Sequence, residues 1–399
     1  MNSISLHPRT RFAAGPGGKT LVGHPWGVHA IQGDFSRLRR LTEEPVDPAT
    51  LDAETLRFLA TFPFLVVHHV GDVLRLVPLG IDAAPVEPCA DDMPIKLSRF
   101  ALLRNDDGVL VLESPLSLYR AELSPELGRT VTALVQPKTL SSFDNVERQV
   151  VRELVSAGLV GNVEDLSTWD FHDLLFHTRS RAGRHDQPVG AQYRGEEPPR
   201  FKTVAGEPIP LATPAAVDVP FTTVLERRRS TRSYGPEGMT VEELGGLLHH
   251  AARIKDGRRP YPSAGASYDL ELYLAVRRCR GLDTGVYHYD PLAHALRLVR
   301  EELGELARRP ADFDSPPDVL VVITSRFGRV SWKYTSIAYA LTLRNVGVLC
   351  QTLYLVAASM GLAACALGSG DIAGTERLLG VPFTEESTVG EFALGSLGV

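Results

Sequence analysis

Arginine is concentrated in one short segment of the chain, residues 227–232, which reads Arg-Arg-Arg-Ser-Thr-Arg. Guanidinium groups bind phosphate oxygens through paired, charge-assisted hydrogen bonds, and a serine hydroxyl adds another donor. The candidate phosphate ligands are Arg228, Arg229, Ser230 and Arg232. Arginines at the end of a helix also interact favourably with the helix dipole, so a purely structural role is the alternative for this motif alone.

A second motif, Pro-Ser-Ala-Gly at residues 262–265, precedes an apolar stretch at residues 271–276. Glycine has no side chain to block an approach, so such a turn lets backbone amides come close to a flat ring. The candidate contacts to the ring are Pro262, Ser263 and Gly265. A phosphate-binding segment and a ring-binding turn together predict a site for flavin mononucleotide (FMN) rather than a basic surface patch.

A third motif, Gly368-Ser369-Gly370, follows a long apolar segment near the end of the chain. Its backbone amides could donate hydrogen bonds to N5 and O4 of an isoalloxazine ring, where negative charge develops on reduction. Glycine and serine together also mark simple turns, so this motif is weak by itself. We take Gly368, Ser369 and Gly370 as further candidate cofactor contacts.

The adjacent residues Lys333 and Tyr334 are the candidate catalytic groups. A lysine and a tyrosine at a strand-to-helix junction can transfer protons if burial and nearby positive charge lower the pKa of the ammonium group. The alternative is a surface lysine beside a tyrosine that only packs. The position of the pair within the other motifs favours the catalytic interpretation.

The overall composition is that of an ordinary globular protein. The chain has 399 residues, of which 23% are charged and 44% hydrophobic, and two or three domains are expected. A formal net charge of -6 gives no electrostatic basis for binding nucleic acid or an anionic membrane. The cysteines, Cys89, Cys279, Cys350 and Cys365, do not have the spacing of metal ligands. We therefore predict no metal site and no nucleic-acid partner.

Two segments bear on localisation. The first residues lack the apolar run of a signal peptide, which predicts a cytoplasmic location. Residues 337–362 are apolar enough to imitate a membrane span, but Arg344, Asn345 and Gln351 interrupt them. This pattern favours a fully buried helix of a soluble core and no association with a membrane.

Apolar periodicity and turn residues divide the chain into four regions. Residues 1–95 predict a small N-terminal α/β module. Residues 96–161 predict a winged-helix-like domain, with strands at 99–104, 109–113 and 118–123 before two helices. Residues 162–218 are rich in proline, glycine and arginine and predict a linker, although the arginines and histidines at 176–185 could instead clamp an anion. Residues 219–399 predict one α+β domain.

Elements of that α+β domain are expected to position the motifs. The expected helices cover residues 222–229, 241–252 and the long apolar segment after Trp332. The expected strands cover residues 271–277, a hairpin across 285–299, 318–325 and 392–395. Strands and helices alternate without a regular βαβ period.

The motifs occur in an order that resembles the nitroreductase superfamily. They are, in chain order, Arg-Arg-Ser-Thr-Arg at 228–232, Pro-Ser-Ala-Gly-Ala at 262–266, Gly-Val-Tyr-His-Tyr-Asp-Pro at 285–291, Lys-Tyr at 333–334 and Gly-Leu-Ala-Ala-Cys-Ala-Leu-Gly at 361–368. Within that superfamily the chain resembles the SagB-type peptide dehydrogenases, which oxidise azolines to azoles. The likeness covers residues 219–399, and residues 98–160 and 174–185 resemble the N-terminal peptide clamp of longer members.

The resemblance implies a nitroreductase-like fold and an FMN-dependent homodimer with the flavin in the dimer interface. Arg228, Ser230 and Arg232 would then contact the phosphate and ribityl chain. Residues 262–265 would pass beside the ring, with Gly368 and Ser369 near N5. The chain departs from many nitroreductases in lacking basic residues at its end, and position 264 is alanine where glycine is common.

The resemblance also implies a reaction and its partners. Lys333 and Tyr334 match a catalytic pair of the azoline dehydrogenases that plain nitroreductases generally lack. The implied substrate is a thiazoline or oxazoline in a ribosomally made precursor peptide, with a cyclodehydratase as a partner enzyme. The alternatives are an NAD(P)H-dependent nitroreductase or flavin reductase acting on small molecules, and a non-enzymatic subunit. A leader peptide would add a strand at residues 118–123, unless the N-terminal module docks a partner protein instead.

Overall fold

The computed structural model describes residues 2–32, 36–84, 90–161, 168–307, 310 and 313–398. Cys89 and the first residues of the predicted linker, 162–167, lie outside them. The chain divides into two compact units, Met1–Gly190 and Ala191–Val399. The division falls inside the predicted linker at 162–218, so each unit takes up a part of that segment.

The first unit contains short helices and mostly antiparallel strands. The strands are β1 (Asn2–Leu6), β2 (Arg11–Ala14), β3 (Lys19–His24), β4 (Gly27–Gln32), β5 (Val66–Val70), β6 (Leu74–Pro78), β7 (Lys96–Leu97), β8 (Leu102–Asp106), β9 (Val109–Glu113), β10 (Tyr119–Leu123) and β11 (Val160–Gly161). The helices are α1 (Arg40–Glu43), α2 (Ala53–Thr61), α3 (Gly128–Ala133), α4 (Asn145–Ser156) and α5 (Phe171–Arg179). Helix α5 lies within the segment predicted to be a linker.

Six of these strands form one antiparallel sheet in the order β1-β5-β6-β10-β9-β8. Strand β6 comes from the predicted module 1–95 and pairs with β10 from the predicted domain 96–161. The two predicted modules therefore share one sheet. Strand β10 also pairs with β9, so it is a central strand, and the prediction that residues 118–123 form an open edge is wrong. Sequence alternation identifies a strand but not its neighbours.

Helix α4 shows how local sequence fixes an element of this unit. The Asp144 side chain accepts a hydrogen bond from the Glu147 amide, and the Glu147 carboxylate accepts one from the Asp144 amide, which is a complete capping box. Val150, Val151 and Leu154 are fully buried and pack in the core against the sheet. This helix is one of the two helices predicted after the strands of residues 96–161.

The second unit combines one large sheet with helices. Its strands are β12 (Pro208–Pro210), β13 (Met239–Thr240), β14 (Leu270–Val276), β15 (Cys279–Arg280), β16 (Gly285–Asp290), β17 (Ala295–Arg300), β18 (Val319–Arg326), β19 (Leu362–Leu367) and β20 (Glu386–Ser396). Its helices are α6 (Phe221–Arg227), α7 (Val241–Ala252), α8 (Gly328–Ser331), α9 (Ala338–Met360) and α10 (Ile372–Leu379). Strand β19 and helix α10 were not predicted from the sequence.

Seven strands form the sheet of this unit in the order β12-β17-β16-β14-β18-β20-β19. Every residue of β14 is buried, because both faces of the sheet are covered there. Helices α7 and α9 contribute Leu247, Leu248, Leu349 and Leu353 to the core, all with no exposed surface. Burial of each such side chain contributes about 1.5–3 kcal/mol relative to exposure. This core holds α9 firmly against the sheet.

Helix α9 has the length and apolar composition of a membrane span, but only 39% of its most apolar 18-residue stretch is buried. Its buried face packs on the sheet, whereas Tyr339, Leu343 and Val348 are exposed. The prediction of a fully buried helix is therefore wrong. The helix presents an apolar face that nothing in the described part of this single chain covers.

Candidate active site

The arginine segment continues from the end of α6 as an extended chain beside β19 and α9. The Thr231 amide donates a hydrogen bond to the Ala364 carbonyl at 2.9 Å, which fixes the segment to β19. The Arg228 guanidinium lies 5.5 Å from the centre of the Tyr354 ring, a cation–π distance. The Ser230 hydroxyl lies 2.8 Å from the Tyr354 hydroxyl. Tyr354, which the sequence analysis did not select, therefore anchors this segment.

Neighbouring residues of the segment point to different surroundings, as in any extended chain. Arg229 and Thr231 line a cavity of about 430 Å³ together with Tyr354. Arg232 is exposed, and its charge opposes the rise in the pKa of Tyr234 that burial causes, which places it near that phenol. Arg228, Arg229 and Ser230 thus lie around Tyr354 and the adjoining cavity, whereas Arg232 lies near Tyr234, so the predicted phosphate ligands do not converge on one point of this chain.

The Pro-Ser-Ala-Gly loop is held by hydrogen bonds from its own residues and from α9. The Ala264 amide donates to the Asn345 side-chain oxygen at 2.9 Å. The Ser263 hydroxyl accepts from the Tyr268 amide at 3.1 Å. Gly265 has φ 59°, and Ala266 and Tyr268 also have positive φ values, of 54° and 47°. Left-handed backbone at residues other than glycine costs about 1–2 kcal/mol each and persists where the surroundings enforce it.

A buried carboxylate is linked to the loop through hydrogen bonds. Asp269 has no exposed surface, and its oxygens accept hydrogen bonds from Asn345 at 2.8 Å, Ser325 at 2.7 Å and Thr342 at 3.2 Å. Asn345 therefore links this carboxylate to the Ala264 amide. Neither Asp269 nor Asn345 was selected from the sequence as a site residue, because both contacts join positions far apart in the chain.

Lys333 and Tyr334 follow α8 and pack directly on the loop. The Lys333 ammonium donates a hydrogen bond to the Gly265 carbonyl at 3.1 Å. A Cβ atom placed on Gly265 would lie 2.6 Å from the Tyr334 hydroxyl oxygen and 3.1 Å from Lys333 Cδ. The structure therefore brings the predicted catalytic pair together with the predicted ring-binding turn, and it requires glycine at position 265.

A segment from the predicted linker completes this cluster. The Gln192 amide donates to the Lys333 carbonyl, and the Arg194 amide donates to the Trp332 carbonyl, both at 2.7 Å. These two bonds place the Tyr193 ring 5.5 Å from the Lys333 ammonium. Tyr193 was missed because it lies far from the other motifs in the sequence.

The Gly-Ser-Gly motif lies between β19 and α10. Gly368, Ser369 and Gly370 are exposed, and a Cβ atom on Gly368 would meet nothing within 4 Å. The Tyr354 hydroxyl accepts a hydrogen bond from the Ala366 amide at 2.7 Å, so the motif begins two residues beyond a bond to the arginine anchor. This arrangement places Gly368 close in the chain to a contact with the predicted phosphate-binding segment.

A charged network is buried on β14, β16 and β18. Glu271 and His288 are 2% and 1% exposed, and their side chains lie 3.1 Å apart. The Arg326 Nε atom lies 2.9 Å from the other Glu271 oxygen. Burial raises the pKa of Glu271, but the hydrogen bond with His288 and the charges of Arg259 and Arg326 outweigh it and lower the pKa below its usual value. Glu271 therefore remains ionised inside the unit.

Comparisons with known proteins identify the family of this chain. The model of the nitroreductase family matches residues 225–396, and the model of the cyanobactin oxidase ThcOx matches residues 95–186. A nitroreductase-type protein of Methanocaldococcus jannaschii is 32% identical over 170 residues, which cover 41% of this chain and 86% of the relative. The chain belongs to the nitroreductase family, which confirms the predicted α+β fold of its C-terminal part.

A second set of similarities involves proteins of microcin B17 processing. The microcin B17-processing protein McbC of Escherichia coli is 35% identical over 118 residues, covering 26% of this chain and 42% of McbC. A solved structure of the Escherichia coli microcin synthetase McbBCD complex, with truncated pro-MccB17 bound, matches with a TM-score of 0.38 and 21% identity. That match covers 50% of this chain and 79% of the solved one. The winged-helix character of the N-terminal module stays a prediction.

Proposed function

We propose that the chain is an FMN-dependent dehydrogenase that oxidises thiazoline or oxazoline rings in a ribosomally made precursor peptide to thiazoles or oxazoles. The observation that carries this proposal is the contact of Lys333 and Tyr334 with Gly265. It joins a proton-transfer pair to the turn expected beside the flavin ring. The relationship to McbC and to the cyanobactin oxidase model supports a peptide substrate.

The residues present fit the cofactor. Arg228, Ser230 and Arg232 offer cationic and hydroxyl donors for a phosphate, and the glycine at position 265 lets Lys333 and Tyr334 pack on the turn expected beside the ring. Aromatisation of an azoline removes a proton from Cα and a hydride from Cβ, and bound FMN would supply the hydride acceptor and pass the electrons to dioxygen.

The residues of this chain would bind the substrate and move its proton. Lys333 or Tyr334 would take the Cα proton. The hydrogen bond from Lys333 to Gly265 orients the ammonium group at the turn. Tyr193 lies over the same lysine and would limit its access to water.

The geometry of α9 supports a homodimer in which both chains build each site. Asn345 and Tyr354 hold the ring-binding turn and the phosphate-binding segment, and they are nine residues apart on the helix. At 3.6 residues per turn, they point about 180° apart. The exposed apolar residues Leu343 and Val348 lie on this helix. A second chain packed there would bring its own turn towards the arginines of the first.

The N-terminal unit would bind the leader of the precursor peptide by strand addition. The two edge strands of its sheet are β1 and β8. The outer edge of β1 is partly used, because the Ile4 and Val46 backbones exchange two hydrogen bonds. Strand β8 carries the exposed Leu103 and is the better edge for an added strand. Docking of a partner cyclodehydratase on this unit is the alternative outcome.

Anaerobic spectroscopy tests the reaction. Purified protein should show flavin absorbance, and an azoline peptide should bleach it in the absence of dioxygen. Lys333→Ala should keep the absorbance but lose at least about 100-fold in rate, the usual range for a general base. A variant that retains flavin and the parent rate would disprove the catalytic role. Bleaching by NAD(P)H and not by the peptide would instead identify a small-molecule reductase.

A further inference from the structure

A basic cleft lies at the segment that leads into the Pro-Ser-Ala-Gly loop. It has a volume of about 620 Å³, and its charged lining residues are Arg253, Lys255, Asp256, Arg258 and Arg259. His250 also lines it. Four permanent cations face a single carboxylate, so the cleft has a strong excess of positive charge. Of these residues, only Arg259 appeared above, through its charge near Glu271.

A tight turn shapes the rim of the cleft. The Lys255 and Arg258 backbones exchange two hydrogen bonds of 2.9 Å across Asp256 and Gly257, which have φ values of 51° and 71°. Two central residues with positive φ define a turn that is readily formed by Asp-Gly. The turn leaves the side chains of Lys255 and Arg258 exposed. These two cations are therefore free to contact a ligand at the rim.

Arg259 forms the buried wall of the same cleft. Its side chain is only 8% exposed, and its Nε atom has no hydrogen-bond partner within the described ranges. The carboxylate of Glu271 is near enough to interact with this charge, but its oxygens already face His288 and Arg326. A buried guanidinium with an unused donor is costly without an anion. A ligand carboxylate in the cleft would supply that anion.

The neighbouring histidine agrees with this excess of positive charge. His249 precedes the cleft on α7, and its pKa is lowered to about 4, first by burial and then by the charges of Arg253, His294, His250 and Lys255. The same positive field would attract an anionic ligand.

We propose that this cleft binds carboxylate side chains of an acidic peptide segment, a substrate feature that rests on the proposed function. Guanidinium groups match the geometry of a carboxylate. The cations extend from the exposed rim to the buried Arg259, which suits an extended chain with several acidic residues. Arg259 is three residues before Pro262, so a short stretch of chain joins the cleft to the turn that Lys333 contacts. The site would anchor acidic residues that flank the azoline.

Binding of a labelled peptide tests this site on the full-length protein. The probe is a fluorescent peptide with spaced glutamates, compared with the same peptide carrying glutamines. The glutamate peptide should bind at least about tenfold more tightly, and its affinity should fall as salt rises from about 50 to 300 mM. The triple variant Arg253→Gln, Lys255→Gln and Arg258→Gln should weaken glutamate-peptide binding by at least about tenfold.

The matched control is the triple variant Arg280→Gln, Arg300→Gln and Arg377→Gln, which removes the same charge from exposed positions outside the cleft. It should leave peptide affinity unchanged. Equal binding of the two peptides, or equal loss in both triple variants, would overturn the proposal. Displacement by inorganic phosphate beyond that by sodium chloride of equal ionic strength would assign the cleft to phosphate instead.

The result is independent of the redox reaction. Flavin absorbance and anaerobic bleaching are measured on the same protein samples. If the azoline peptide bleaches the flavin but the glutamate and glutamine peptides bind equally, only the proposed acidic-peptide site is rejected. If the glutamate peptide binds selectively but the azoline peptide does not bleach the flavin, the proposed function is rejected.

Discussion

Asn345 and Tyr354 lie on opposite flanks of α9, and each secures a different half of the candidate site. The Asn345 side-chain oxygen accepts a hydrogen bond from the Ala264 amide. The Tyr354 hydroxyl is hydrogen-bonded to the Ser230 hydroxyl and accepts a hydrogen bond from the Ala366 amide. The rise of 1.5 Å per residue separates them by about 14 Å along the helix axis. One helix thus fixes the positions of both predicted binding segments.

Replacement of Asn345 by Ala should destabilise the protein by about 1–3 kcal/mol, because it leaves the Ala264 amide and one Asp269 oxygen without their partner. Urea unfolding measures the change in the free energy of unfolding. The control is Gln351→Ala at an exposed position of the same helix, where the change should stay within about 0.5 kcal/mol. Equal effects in the two variants would show that Asn345 does not secure the loop.

Replacement of Tyr354 by Phe should weaken retention of FMN. The change removes the hydroxyl group that is hydrogen-bonded to Ser230 and that accepts a hydrogen bond from the Ala366 amide. Loss of these two neutral hydrogen bonds should lower the affinity for FMN by about tenfold. Flavin absorbance per protein after dilution and filtration measures the loss. Tyr339→Phe, at an exposed position of α9, is the control and should retain the cofactor as the parent does.

Replacement of Gly265 by Ala should impair both folding and turnover. The new methyl group would meet the Tyr334 hydroxyl and Lys333, and the left-handed backbone adds strain of about 1 kcal/mol. Gly361→Ala is the matched control, since Gly361 has φ 70° but open space around its Cβ position. A loss of azoline oxidation equal to that of Gly361→Ala would mean that contact with the catalytic pair is unimportant.

The lowered pKa of Glu271 predicts that the folded protein loses stability in acid. Its pKa is lowered in the folded protein, so its contribution is fully present above the unfolded value of 4.5 and is lost as the pH falls through the folded pKa. The Tm, measured by thermal unfolding at a series of pH values from neutral into this acidic range, should fall more steeply for the parent protein than for Glu271→Gln. The variant should be less stable at neutral pH, because a buried charge partner is removed. Parallel pH profiles would contradict this role.

Replacement of Leu343 or Val348 by Glu should convert a dimer to a monomer, because a charge would be buried in the proposed interface. Light scattering coupled to size exclusion measures the mass. Leu298→Glu is the control, since Leu298 is similarly exposed at 39% on β17 and lies outside α9. Dissociation should also release the flavin, whereas a flavin-loaded monomer would show that one chain suffices for the cofactor.

The motifs of the candidate site could be recognised in the sequence, but the residues that hold those motifs in place could not. Arginine, proline and glycine at 228–232 and 262–265 have local chemical meanings that can be recognised without a structure. Tyr354, Asp269 and Tyr193 could not be selected this way, since their roles depend on contacts between distant positions. The same limit explains the error over residues 118–123. Alternation showed a strand there, but only the pairing with β6 and β9 shows that it is internal.

The pairing of β6 with β10 has a practical consequence for dividing this protein. A chain shortened to begin at residue 96 would lose β6 and expose the Tyr119–Leu123 backbone as an unpaired edge. Tyr119, Ala121 and Leu123 would lose the strand that now lies beside them. Unprotected apolar edges promote association between chains. The segment matched by the oxidase model is thus expected to precipitate when it is produced without residues 1–95.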